Sequence, residues 1–259
     1  MCMKRLIIIL SLFLFFINTQ TFAAGKLVKQ DIKVVTKDGF SVCATLQYPK
    51  VKGKIDYSTV VLLHSLGYSS EWWETLPQDL LNDGYAVLTI DLRGHGKSVY
   101  NSRLARVSWK SLTKKGYSRY PQDVISVLEY IKNENKRTFF NNWAIIGSDV
   151  GASAGIIAAN KLSYKPKTII MLSPVINAKG LYIPVHFAEL EGIDVLSISG
   201  TNDISGQTTQ GYLSKFAQAT FTEYISESTS TGMLLLKNDK SLIKVITEWI
   251  GQYLKAETN

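Results

Sequence analysis

Cysteine and histidine are scarce in this chain, with two of the first and three of the second in 259 residues. Two cysteines exclude a disulfide-stapled scaffold and any zinc module built on cysteine. Three histidines, at 64, 95 and 186, leave little from which to build a multi-histidine metal site, and none follows His186. Acidic residues are missing from Asn101 to Tyr120. That stretch holds Arg103, Arg106, Lys110, Lys114, Lys115 and Arg119, with Trp109, Tyr117 and Tyr120 interleaved. Internal repeats, linkers and low-complexity segments are also absent. With 46% hydrophobic and 19% charged residues, the chain has the composition of one large single-core domain.

Long apolar runs are missing too, apart from Leu6–Ile17. That run falls short of the roughly 20 residues a membrane span needs. Lys4 and Arg5 precede it, polar Asn18-Thr19-Gln20 follow, and Thr21-Phe22-Ala23 is a small-residue cleavage pattern. This order predicts a secretory signal peptide over residues 1–23, cleaved after Ala23, and an exported domain over 24–259. An uncleaved anchor is the alternative. Cleavage removes Cys2 and leaves Cys43 alone, and its alternating strand context predicts a buried, inert thiol. The net charge of +8 drops by two, to +6, without Lys4 and Arg5. The basic stretch 101–120 reads first as a solvated loop and second as a weak contact with an anionic surface; export argues against nucleic acid.

From Asp31 onward, strand and helix signals alternate. Asp31–Thr36 and Phe40–Tyr48 form a hairpin around Asp38-Gly39. Strands follow at Ser58–His64, Tyr85–Ile90, Trp143–Ile146, Thr168–Leu172, Val195–Ile198 and Thr220–Ile225. Helices are expected over Glu71–Asn82, Tyr120–Asn133, from the elbow to about Ser163, Thr208–Ala217 and Ser241–Leu254. Alternation of this kind predicts a mostly parallel sheet with helices on both faces, and a small-molecule pocket at the carboxyl ends of the strands.

Four segments fall at those ends: His64-Ser65-Leu66-Gly67, Asp91–Ser98, Gly147-Ser148-Asp149-Val150-Gly151 and Gly200-Thr201-Asn202-Asp203. Asp91-Leu92-Arg93-Gly94-His95-Gly96-Lys97-Ser98 matches the signature D-x-R-G-H-G-x-S. Together the four segments resemble the α/β-hydrolase superfamily. Ile146–Ser153 and Ser228–Leu234 are similar to the I-G-A-S-I-G-A-N and S-A-H-G-T-x-M-L segments of its bacterial esterase and serine-aminopeptidase-like members. The resemblance implies an α/β-hydrolase fold with no large cap, since Leu172 to Val195 leaves no room for one. It implies an oxyanion hole from the backbone N–H groups of Leu66 and Val150, and it needs neither metal nor cofactor. Gly96-Lys97-Ser98 looks like the end of a phosphate-binding loop, but residue 91 is Asp where that motif begins with Gly.

The same resemblance exposes departures. Asp149 stands where the family has its nucleophilic serine, and Ser65 where glycine is usual. Asp203 fits the acid position, and Thr229 falls at the position of the missing histidine. Ser-His-Asp catalysis depends on its members acting as a unit. The first reading is therefore an exported hydrolase homologue that binds a ligand and has lost the chemistry. The alternative is an active hydrolase of small esters or amides with an unusual nucleophile or base. Ser153 is one candidate, because Gly151-Ala152-Ser153-Ala154-Gly155 also fits G-x-S-x-G. Another is Asp149 itself, used as haloalkane dehalogenases and epoxide hydrolases use an aspartate, with His186 at the pocket rim; those enzymes also carry a cap. His64 and His95 read as structural. Trp72-Trp73 reads as helix-to-sheet packing.

Overall fold

The computed structural model describes residues 26–254. The proposed signal peptide and its cleavage point lie outside the described residues. In chain order the elements are β1 (Leu27–Val35), β2 (Phe40–Pro49), β3 (Thr59–Leu63), α1 (Leu76–Asn82), β4 (Ala86–Ile90), β5 (Tyr100–Asn101), α2 (Lys114–Tyr117) and α3 (Tyr120–Glu134). Then come β6 (Trp143–Ser148), α4 (Val150–Lys161), β7 (Thr168–Leu172), β8 (Asn177–Ala178), β9 (Leu181–Tyr182), α5 (Pro184–Ala188), β10 (Asp194–Gly200) and α6 (Ile204–Leu213). The last are β11 (Phe221–Ser226), α7 (Leu234–Asn238) and α8 (Ser241–Tyr253).

The main sheet runs β1-β2-β4-β3-β6-β7-β10-β11, with β5 beside β2. Every pair from β4 to β11 is parallel, and only the β1, β2, β4 and β5 pairings at one side are antiparallel. The parallel strands are continuous apolar runs because helices cover both faces. Within β3, Val61 and Leu63 join the core under α3 and α4, while Val60 and Leu62 join the core under α1 and α8. Two-residue side-chain alternation thus splits one strand between two cores. Between β7 and β10 the chain forms only the β8–β9 hairpin and the short helix α5, which is no cap domain. Among the described residues, no helix is long and apolar enough to cross a membrane.

Several sequence expectations need correction. The helix expected over Glu71–Asn82 is broken: a 3-10 turn covers Ser70–Trp72 and α1 starts at Leu76. Glu74 sits at φ 52 and Pro77 lies in the first turn of α1, so one continuous helix cannot form. The helix expected over Thr208–Ala217 starts earlier, because the Asp203 side chain caps it by accepting from the Gly206 N–H at 2.9 Å. The basic stretch is not a plain loop: it contains β5, a 3-10 turn at Trp109–Ser111 and α2. Cys43 is half-buried rather than buried, its thiol lies 3.4 Å from the Lys97 carbonyl, and partial burial pushes its pKa up. His186, expected at the pocket rim, lies on the short helix α5.

Candidate functional site

β6 ends at Ser148 and α4 starts at Val150, so the whole strand-to-helix reversal falls on Asp149. Its backbone has φ 50 and ψ −115, a region that side chains other than glycine rarely adopt. Two glycines make the turn sterically feasible. A Cβ on Gly151 would stand 2.1 Å from the Leu63 carbonyl oxygen, and one on Gly147 would stand 2.5 Å from the Ala152 Cα. The N-terminus of α4 therefore presses directly on the end of β3. Such a strained strand-to-helix corner presents the side chain at its apex. Ser153 lies one turn further on, fully buried, with its hydroxyl 3.5 Å from the Asp149 carbonyl. Its hydroxyl is thus turned to the backbone carbonyl of the apex residue.

The carboxylate of Asp149 reaches back into the donors beside it. Its Oδ2 accepts from the Leu66 N–H at 3.2 Å, and the Val150 N–H also bonds to it. These are the two donors that the family resemblance assigns to the oxyanion hole. Burial pushes the Asp149 pKa up, the two N–H groups and the charge of Lys179 pull it down, and the charge of Asp203 adds to the rise. Lys179 arrives on the tight β8–β9 turn, where Lys179 and Gly180 both have positive φ, 55 and 92.

Asp203 is buried at the end of β10, with Oδ1 on the Gly206 N–H and Oδ2 lacking a hydrogen-bond partner among the described residues. The structure thus brings Asp149 and Asp203 close enough for their charges to interact. Thr229 is exposed. Its loop leans on Gly200, where a Cβ would meet the Ser230 and Ser228 carbonyls at 2.2 and 2.6 Å. The Thr201 N–H donates to the Ser228 carbonyl at 2.8 Å.

The loop is stitched to the strand ends by three serines that the sequence did not single out together. Ser65 and Ser148 hydroxyls are 2.7 Å apart, the Met233 N–H donates to Ser65 Oγ at 3.2 Å, and the Gly232 N–H donates to Ser173 Oγ at 2.7 Å. The departure at Ser65 is part of this stitch. The Lys179 position was likewise missed, because β8 and β9 are two residues each and Lys-Gly is not among the usual hairpin dipeptides.

Each histidine is committed elsewhere. His64 is fully buried; its Nε2 accepts from the Leu92 N–H at 3.0 Å, so Nδ1 donates to the Ser65 carbonyl at 2.8 Å. His95 Nε2 accepts from the Gly67 N–H at 3.0 Å, and its Nδ1 faces the Leu92 and Arg93 carbonyls. Burial lowers both pKa values, that of His95 to about 4, and so both rings are neutral and structural. His186 accepts on Nδ1 from Asn160 at 3.0 Å. Asn160 is near the C-terminal end of α4, about 15 Å along the helix axis from Val150. Among the described residues, no cluster of three or more His, Cys, Asp or Glu side chains could hold a metal.

The comparisons agree with this architecture. Residues 56–214, more than half of the chain, match the profile of the family described as serine aminopeptidase, S33. An esterase of Pyrococcus furiosus superposes with a TM-score of 0.66 at 14% identity, covering 88% of this chain and 91% of that one. A dienelactone hydrolase from Anabaena variabilis gives 0.64 at 16% identity, covering 88% and 99%. A fungal esterase from Rhizomucor miehei gives 0.63 at 13%, covering 89% and 85%. At these identities the likeness shows the fold. No curated protein matches the chain in sequence. On the family match and the shared fold, the chain belongs to the serine aminopeptidase S33 family of α/β-hydrolases.

Proposed function

We propose that this protein is an exported, non-hydrolytic member of its family that acts by binding a small molecule. One observation carries the reading: the Asp149 carboxylate occupies the N–H groups of Leu66 and Val150. An ester carbonyl is activated when its oxygen sits between such donors as negative charge develops on it. Here the Asp149 carboxyl already holds that place, so an incoming carbonyl must displace it or approach without stabilisation.

The remaining groups fit the same reading. A nucleophile needs a base within hydrogen-bond reach, and His64, His95 and His186 are each held by other partners. Asp203 keeps the acid position of a triad, with one carboxylate oxygen that has no hydrogen-bond partner, and so no imidazole to orient, among the described residues. The export step rests on the order of basic, apolar and small residues over 1–23.

The test is hydrolysis of a short-chain p-nitrophenyl ester by the wild type, Asp149→Ser, Thr229→His and the double variant. The wild type and both single variants are expected to show no turnover above buffer. The double variant restores a hydroxyl and a base beside Asp203, and general-base assistance is typically worth about 10²–10⁴-fold. Rapid turnover by the wild type that survives Asp149→Asn would overturn the proposal and point to Ser153.

A further inference from the structure

Two motifs that the elbow leaves unused meet on its flank. Of the Trp72-Trp73 pair, Trp73 enters the core at 1% exposure, while Trp72 stays 43% exposed with its ring edge-on to Tyr68 at 5.0 Å. Opposite them, Trp109 from the basic stretch lies flat on the His95 imidazole, at 5.7 Å between ring centres and 4° between planes. Trp109 can come this close because a Cβ on Gly94 would stand 2.5 Å from its backbone nitrogen. Between these walls is an open cleft of about 290 Å³, bordered by Gly67, Tyr68, Trp72, Gly94, Arg106 and Trp109.

The cleft is distinct from the elbow. Its loops leave the ends of β3 and β4, whereas Asp149 stands at the end of β6, on the other side of β3. The 65–69 loop runs between the two: its Leu66 N–H donates to Asp149, and its Gly67, Tyr68 and Ser69 line the cleft. Among the described residues no acidic side chain lines the cleft, and the sequence has none from Asn101 to Tyr120. Arg106 is exposed and makes none of the salt bridges formed among the described residues. The Lys110 ammonium adds a second positive charge, 5.7 Å from the centre of the Trp109 ring.

We propose that this cleft binds a planar organic anion of the aromatic carboxylate class. Aromatic walls give a flat ring offset-stacked and edge contacts. A free guanidinium takes a carboxylate through two parallel N–H donors. A neutral sugar could use the walls but would leave the cationic rim without a partner. A polyanion would need an extended basic track, whereas here one guanidinium, that of Arg106, lines a cleft the size of one or two fused rings. The inference does not depend on whether the elbow turns over.

The test is isothermal titration calorimetry with 2-naphthoate, its neutral counterpart 2-naphthylmethanol, and cellobiose. The expected order is naphthoate tightest. Arg106→Gln should weaken naphthoate about tenfold or more and leave the alcohol unchanged. Trp72→Ala should weaken both aromatic ligands about fivefold. Both side chains are exposed, and thermal melts of the two variants confirm that they are folded. Absence of naphthoate binding at millimolar concentration would overturn the proposal. So would naphthoate binding indifferent to Arg106→Gln, or tighter binding of cellobiose. The readout is binding, so its failure is separable from any failure of the non-hydrolytic reading.

Discussion

The Asp91–Ser98 turn and the Asp149 elbow lie on the same edge of one sheet, with the end of β3 between them, and they treat polar groups in opposite ways. In the turn, buried polar side chains are answered by partners. Asp91 accepts from the Ser70 and Lys97 N–H groups, both at 2.8 Å. Ser98 Oγ accepts from the Cys43 N–H and donates to the Asp91 carbonyl, both at 2.7 Å. Arg93 is clamped between Asp123 and Asp38 and lies over the Phe40 ring at 4.7 Å. At the elbow, a strained aspartate fills its own donors, Asp203 keeps an unpartnered oxygen, and Thr229 faces solvent. Groups that hold one another cannot change singly without leaving a buried charge or donor unpaired. Groups that serve a reaction can change without unfolding the chain.

That contrast breaks most visibly if Arg93 is replaced. Asp123 is fully buried, and burial lifts its carboxyl to about 6 even against the pull of Arg93. Arg93→Met strips the pair and is expected to cost about 3–5 kcal/mol of stability, read by urea denaturation at pH 7. A loss under 1 kcal/mol would mean that the turn is as replaceable as the elbow.

The histidines of the turn give the next largest effect. In the unfolded chain a histidine takes up its proton near pH 6.5, but folded His95 stays neutral down to about 4. The unfolded state therefore binds more protons in this window, and the contribution of His95 to stability is lost as pH falls from about 6.5 to 4. The full difference is about 3 kcal/mol. Asp123 and Asp149, whose carboxyls are raised by burial, take up protons in the folded state and offset part of it. The direct check is proton NMR of the imidazole rings, where His95 should not titrate between pH 8 and 5.5.

The elbow should respond in the other direction. Asp149→Gly removes a half-buried carboxylate and places at φ 50 the residue that tolerates it. It is expected to raise stability by about 1 kcal/mol, seen as a higher melting temperature. Destabilisation would show that the bonds of Asp149 to Leu66 and Val150 outweigh the backbone strain.

The legible part of this fold follows the same division. Runs such as Thr59–Leu63 and Thr168–Leu172 show their strands because burial on both faces leaves no polar residue to blur the pattern. The Asp91–Ser98 turn was legible because mutual hydrogen bonding ties its residues to fixed spacings. Short elements were not legible: β8, β9 and α5 are too brief for a period, and tertiary contacts decide them. The break before α1 was only half marked: Pro77 stands inside the expected helix, but the positive φ of Glu74 carries no sequence mark. At the site, the identity of Asp149 could be read, but where its carboxylate points could not. That direction is set by how closely α4 approaches the end of β3, and so by a distance across the sheet.

That direction is also what a single measurement can test. Backbone amide NMR of Leu66 and Val150, followed through a pH titration in the wild type and in Asp149→Ala, reports on the two donors themselves. With the carboxylate seated on them, both amide signals should follow one titration in the wild type, above the ordinary carboxylate range because burial raises Asp149. Both should move upfield, and lose that titration, in Asp149→Ala. Amide signals that ignore both pH and the substitution would show the hole open, and would contradict the account.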